Sequence, residues 1–100
     1  MLTAVTNADR ASWALSALEG FVAETRVDDC ADAIADLVSN LLHLARAKGI
    51  DPGALVQRSL GMMREEALDD DEGNLNGVRR KLDSLLPNQH PPQTTSFISA

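Results

Sequence analysis

The sequence predicts an all-α protein: a small bundle of about four helices followed by an irregular C-terminal tail. Apolar residues recur at steps of three and four in four separate segments, the period of a helix lying on a core. No segment alternates apolar and polar residues with the period of two that indicates a strand. We therefore expect one helical domain over residues 1–86 and a proline-containing tail over residues 87–100.

The first predicted helix begins near Asn7, a residue type that favours the N-cap position, and ends near Glu24. Its apolar residues form two adjacent rows with a repeat of four, and together these rows make one wide stripe. The rows consist of Trp13, Ala17 and Phe21, and of Ala14, Leu18 and Val22.

The second predicted helix is capped by Asp28 or Asp29 and ends at Gly49, the residue type that best tolerates the left-handed conformation after a last turn. Arg46 and Lys48 lie near its C-terminus, where the helix dipole favours cations. Its apolar residues cover more than one narrow face, so we expect it to be the central helix. They are Ile34, Leu37, Val38, Leu41, Leu42, Leu44 and Ala45.

Two further helices follow. Asp51 is a predicted N-cap and Pro52 stands at the first helical position, where its missing N–H is not needed. The apolar side of this third helix consists of Leu55, Val56, Leu60, Met63 and Ala67. The fourth helix carries Leu75, Val78, Leu82 and Leu85, and Pro87 ends it.

Composition limits the function. The chain has 100 residues, the size of one domain, and 44% of them are apolar, too many for a disordered protein. The net charge of −6 argues against an electrostatic grip on nucleic acid or on an anionic membrane, and it is compatible with a basic protein partner. The single cysteine, Cys30, allows no intramolecular disulfide. With no signal-peptide pattern and no apolar run of about 20 residues, we expect a cytoplasmic protein.

Three aspartates, Asp28, Asp32 and Asp36, recur every four residues and so share one face of the second helix. This acidic strip has three interpretations. It is a solvated helix face with good capping, a surface offered to arginine or lysine of a partner, or half of a divalent-metal site.

Residues 32–51 resemble the last metal-binding helix of MazG-type nucleotide pyrophosphohydrolases and the turn after it. In that family a Glu-x-x-Asp motif pairs with a Glu-x-x-Glu motif of an earlier helix to hold magnesium. Asp36 matches the aspartate, but Ala33 stands at the glutamate position. The first helix offers only Glu19 and Glu24, which are five residues apart. The resemblance therefore reflects either a shared helix–turn–helix pattern or a distant and inactive relative, and we predict no metal site.

Residues 28–68 are also similar to small proteins of phages and prophages. These carry a helix pair with the pattern Asp-Leu, His-Leu-Ala and Gly-Ile-Asp, which this chain matches at Asp36-Leu37, His43-Leu44-Ala45 and Gly49-Ile50-Asp51. The resemblance implies a protein that sits on a host complex and blocks its nucleic-acid-binding surface, as an anti-CRISPR protein does. Its location would then be the cytoplasm of the host cell.

A second acidic cluster spans residues 65–72, where six of eight residues are acidic: Glu65, Glu66, Asp69, Asp70, Asp71 and Glu72. Its spacing does not fit a calcium loop, because neither the sixth-position glycine nor the twelfth-position glutamate is present. The cluster is either a hydrophilic loop or a negative surface that imitates a phosphate backbone. The basic run Arg79-Arg80-Lys81 is too small for a nucleic-acid site.

No residue set carries catalytic chemistry. His43 lies among leucines without the partners of a triad, and Cys30 has no evident general base beside it. We therefore predict a non-catalytic binding protein with no cofactor and no direct contact with nucleic acid or membrane. Its partner would be a basic nucleic-acid-binding host complex, such as a CRISPR effector. We predict that the residues of both acidic clusters contact this partner. An inactive MazG-like relative and a helical oligomerisation module that forms a homodimer remain as alternatives.

Overall fold

The structure is a computed structural model that describes residues 5–68 and 75–87. Four helices occur in these two ranges: α1 (Asn7–Thr25), α2 (Cys30–Lys48), α3 (Pro52–Leu68) and α4 (Leu75–Leu85). The all-α prediction is confirmed, since neither range contains a strand. The division at residue 86 stays a prediction, because residues 88–100 of the predicted tail lie outside the described residues.

α1 begins at Asn7, as predicted, but its N-cap lies one residue earlier than the predicted cap. The N-cap is Thr6, whose hydroxyl oxygen accepts from the backbone N–H of Asp9 at 3.0 Å. The carboxylate of Asp9 accepts in turn from the backbone N–H of Thr6 at 3.0 Å, which completes a capping box. Predicting Asn7 as the N-cap was therefore wrong, because a threonine three residues before an acid is the stronger signal.

The predicted caps of α2 and the predicted start of α3 are confirmed. The carboxylate of Asp29 accepts from the N–H of Asp32 at 2.9 Å and caps α2. Gly49 ends α2 with φ 86°, and the carboxylate of Asp51 accepts from the N–H of Ala54 at 2.9 Å. α1 ends differently, since Arg26 takes the left-handed conformation with φ 64° although it has a side chain that disfavours it.

The buried core lies between α1, the first half of α2 and α4. Its centre consists of Leu15 and Leu18 of α1, Cys30 and Ala33 of α2, and Leu86 just after α4. Half-buried residues surround it: Phe21, Val22, Val27, Leu37, Val78, Leu82 and Leu85. α1 packs more extensively on α4 than on α2.

α3 takes no part in this core, since none of its residues is buried. It contacts α2, and the corner before it is held to the end of α2 by the N–H of Ile50, which donates to the carbonyl of Ala45 at 2.8 Å. At its other end the side-chain amide of Asn7 donates to the carbonyl of Glu66 at 2.9 Å. The carboxylate of Glu66 also forms an ion pair with Arg10, with Nε and Oε2 3.4 Å apart. α3 is thus held at both ends, and its middle stands away from the core.

Candidate docking surface

The predicted acidic strip on α2 is exposed. Asp28, Asp32 and Asp36 are all exposed, and none forms an ion pair with a described residue. Asp32 and Asp36 lie one turn apart on the helix. The prediction that Asp28 shares this helix face was wrong, because the cap Asp29 has an extended backbone and Asp28 precedes it. The strip therefore presents three carboxylates to solvent.

The second predicted cluster is divided by the structure. Glu65 is exposed, whereas Glu66 is half-buried and engaged with Asn7 and Arg10 of α1. The carboxylate of Glu66 is thus already paired within the chain, and its role is to hold the end of α3. Asp69, Asp70, Asp71 and Glu72 lie outside the described residues.

A larger feature than either acidic cluster is an open groove between the second half of α2 and α3. Its volume is about 860 Å³, which is within the size range of ligand pockets. The side chains that line it are almost all aliphatic, and Lys48 is the one charged residue among them. We call this feature the α2–α3 groove.

The aliphatic lining is incompletely covered in the described part of the chain. Leu41 and Met63 are each 52% exposed and Leu44 is 65% exposed. Other lining residues with large exposed fractions are Val38, Ile50, Val56 and Leu60. A soluble monomer rarely leaves so many neighbouring aliphatic side chains in water unless the surface binds something.

The α2–α3 groove continues into a second apolar hollow of about 320 Å³, since Val38 and Leu41 line both. The second hollow is bounded by α1, α2 and α4. Ile34, 45% exposed, extends the row of apolar side chains along α2 into it. One apolar trough therefore runs along α2 from its second turn to its last.

The trough and the acidic strip occupy different sides of α2. Asp36 precedes Val38 by two residues, a step of about 200° around the helix axis. The same arithmetic places Asp32 opposite Ile34. α2 thus presents an apolar face on one side and a carboxylate face on the other.

The two candidate reactive side chains, Cys30 and His43, lie in different surroundings, the first buried and the second exposed. Burial, followed by the charges of Asp29 and Asp83, raises the pKa of the Cys30 thiol, so the thiolate needed for nucleophilic attack is disfavoured. The ring of His43 lies at the surface, 3.1 Å from the guanidinium of Arg46. Among the described residues no group of three His, Cys, Asp or Glu side chains could hold a metal ion.

The described helices include none long and apolar enough to cross a membrane. The sequence analysis did not predict the groove, although one signal pointed to it: the apolar residues of the second helix cover a wider face than one neighbouring helix can bury.

Comparison with protein-family models, with curated proteins and with solved structures found no match.

Proposed function

We propose that this chain is a non-catalytic binding protein that seats an amphipathic helix of a protein partner in the α2–α3 groove. The observation that carries the proposal is the aliphatic lining, which stays half exposed although the groove is concave. A groove of this kind between two helices suits the mode in which a helix lays its apolar face between two others.

The available energy supports a specific but reversible complex. Covering a half-exposed apolar side chain contributes about 1 kcal/mol, so the seven exposed lining residues contribute about 7 kcal/mol. The apolar face of the incoming helix adds a similar amount. Subtracting several kcal/mol for lost translational and rotational freedom leaves an affinity in roughly the micromolar range.

A photo-crosslinking experiment tests this proposal on the full chain. A photoreactive amino acid is placed either at Val56, which lines the groove, or at the adjacent Gln57, which is exposed and does not line it. We expect the photoreactive group at position 56, but not the one at position 57, to form a specific crosslink to a partner protein. Leu60→Glu should abolish this crosslink. Equal crosslinking from both positions, or persistence in the Leu60→Glu variant, would contradict the proposal.

A second candidate function, inhibition of a nucleic-acid-binding host complex, is favoured by the exposed acidic strip. Carboxylates free of described partners at positions 28, 32 and 36 can meet the lysines and arginines that otherwise hold DNA or guide RNA. This is the counter-defence activity that the resemblance to phage proteins implies, with a CRISPR effector as the partner.

Inhibition is tested with a purified CRISPR effector and its target DNA. Cleavage in the presence of the protein is compared with cleavage in the presence of an Asp32→Lys, Asp36→Lys variant. We expect inhibition by the unaltered chain, its relief at raised salt, and its loss in the variant. Full cleavage at every protein concentration would rule out the effector tested, and inhibition that survives both charge reversals would rule out the acidic strip as the contact.

A further inference from the structure

The residues around the α2–α3 groove carry a net positive charge, whereas the rest of the chain carries a net negative charge. Residues 41–64 contain four basic residues and one acid, a net charge of +3, whereas the other residues contain five bases and fourteen acids, a net charge of −9. The two values sum to the −6 of the whole chain. The apolar groove therefore lies in a locally positive part of an acidic protein.

The four cations stand beside the groove lining. Lys48 is itself a lining residue, and Arg46, Arg58 and Arg64 follow the lining residues Leu42, Leu55 and Leu60 by three or four positions, the spacing of neighbours on a helix surface. All four are exposed, and none forms an ion pair with a described residue.

The single acid in residues 41–64, Asp51, is already counted in the net charge of +3, which stays positive. The carboxylate of Asp51 is engaged at the start of α3, where it accepts from the N–H of Ala54. The rim of the groove is therefore left with a positive potential.

We propose that the α2–α3 groove selects an amphipathic helix whose apolar stripe is flanked by glutamate or aspartate. This inference rests on the proposed function and adds the charge of the partner helix. Acidic flanks would meet the unpaired cations while the stripe covers the aliphatic lining, so that both components of the surface are used.

The same features argue against two other occupants. A second copy docking groove to groove would place a +3 region against a +3 region, which is unfavourable in a symmetric interface. An anionic membrane would attract these cations, but it is flat where the groove is concave, and it would repel the remaining −9.

Three fluorescent helical peptides test the inference against the full chain. They share one leucine stripe at positions i, i+3, i+4 and i+7 and differ only in their flanking residues, which are Glu, Gln or Lys. We expect the Glu peptide to bind most tightly by fluorescence anisotropy and the Lys peptide most weakly, with about a tenfold difference between them. High salt should reduce that difference.

Two charge reversals sharpen the assay. Lys48→Glu should reduce or invert the preference, because it reverses the cation that lines the groove. The matched control Arg79→Glu makes the same change at an exposed site on α4, outside residues 41–64, and should leave the preference unchanged. A preference that both variants alter equally would show a general charge effect and overturn the inference.

The remaining outcomes separate the inference from the proposed function. If all three peptides bind equally and Leu60→Glu abolishes their binding, the groove is a docking site without charge selection, and only the inference fails. If no peptide binds, both the inference and the helix-docking proposal fail.

Three parallel measurements address other occupants. Self-association in sedimentation that is lost in Leu60→Glu would assign the groove to a second copy. Cosedimentation with phosphatidylglycerol vesicles would assign it to a membrane. Tighter peptide binding by a Phe97→Ser, Ile98→Ser variant would assign it to the tail of this chain. Each of these results would overturn the inference.

Discussion

Two leucines, one in the core and one in the groove, provide the most direct test of whether the groove is open to solvent. Leu18 is 4% exposed in the core, and Leu41 is 52% exposed where the groove and the second hollow meet. Leu18→Ala removes a buried side chain and leaves a cavity, so it should lower the free energy of unfolding by about 3 kcal/mol. Leu41→Ala removes a side chain that is only about half buried and leaves no enclosed cavity. It should therefore lower the free energy of unfolding by about 1 kcal/mol.

Urea denaturation followed by far-UV circular dichroism measures both values, because the protein is mainly helical. Tryptophan fluorescence is the poorer probe, since Trp13 is 62% exposed and changes little in environment on unfolding. A loss for Leu41→Ala as large as that for Leu18→Ala would refute the open groove and show that Leu41 is covered in solution. If that loss also grew with protein concentration, the cover would be a second copy.

Three further predictions concern local structure. Arg26→Gly should raise the free energy of unfolding by about 0.5–1 kcal/mol, because glycine adopts the left-handed conformation at the end of α1 without steric strain. Gly49→Ala should lower the free energy of unfolding by a similar amount, because it introduces that strain at the end of α2. Urea denaturation measures both changes. Asn7→Ala should speed amide hydrogen exchange in residues 60–68, because it removes the hydrogen bond to the carbonyl of Glu66; unchanged exchange would mean that this bond does not hold α3. The unfolding free energy should fall as the pH rises above about 9, since the pKa of the Cys30 thiol is raised in the folded state and the unfolded chain loses this proton first; Cys30→Ala should show a smaller fall.

Local signals explain why most helix boundaries could be predicted from the sequence. An aspartate cap, a glycine in the left-handed region and a proline in the first turn act within a few residues. Asp29 therefore identifies the start of α2, and Gly49 and Pro52 identify the corner between α2 and α3. The N-cap of α1 was assigned to the wrong residue because Asn7 and Thr6 are both acceptable caps. Only the reciprocal bonds with Asp9 decide between them.

The groove could not be predicted because an apolar row does not show what will cover it. Ile34, Val38 and Leu41 have the spacing of a core-facing stripe, and a core-facing stripe and a docking surface satisfy the same helical period. The choice between them depends on where α3 lies. That position depends on contacts distant in sequence, such as the bond between Asn7 and Glu66, which span 59 residues.

The attachment of α3 is consistent with a surface that adapts to a partner. Burial normally fixes the position of a helix, but α3 buries no residue in the described structure and is held by a short corner and by polar contacts at its far end. Such contacts contribute about 1 kcal/mol each, so the helix can shift without disrupting the core of α1, α2 and α4. Met63, about half exposed in the groove lining, has a flexible side chain that can follow the shape of a bound helix. Because the core is built without α3, and α3 is held only at its ends, α3 can change position while the core stays folded. Binding at the groove can therefore be adjusted independently of folding.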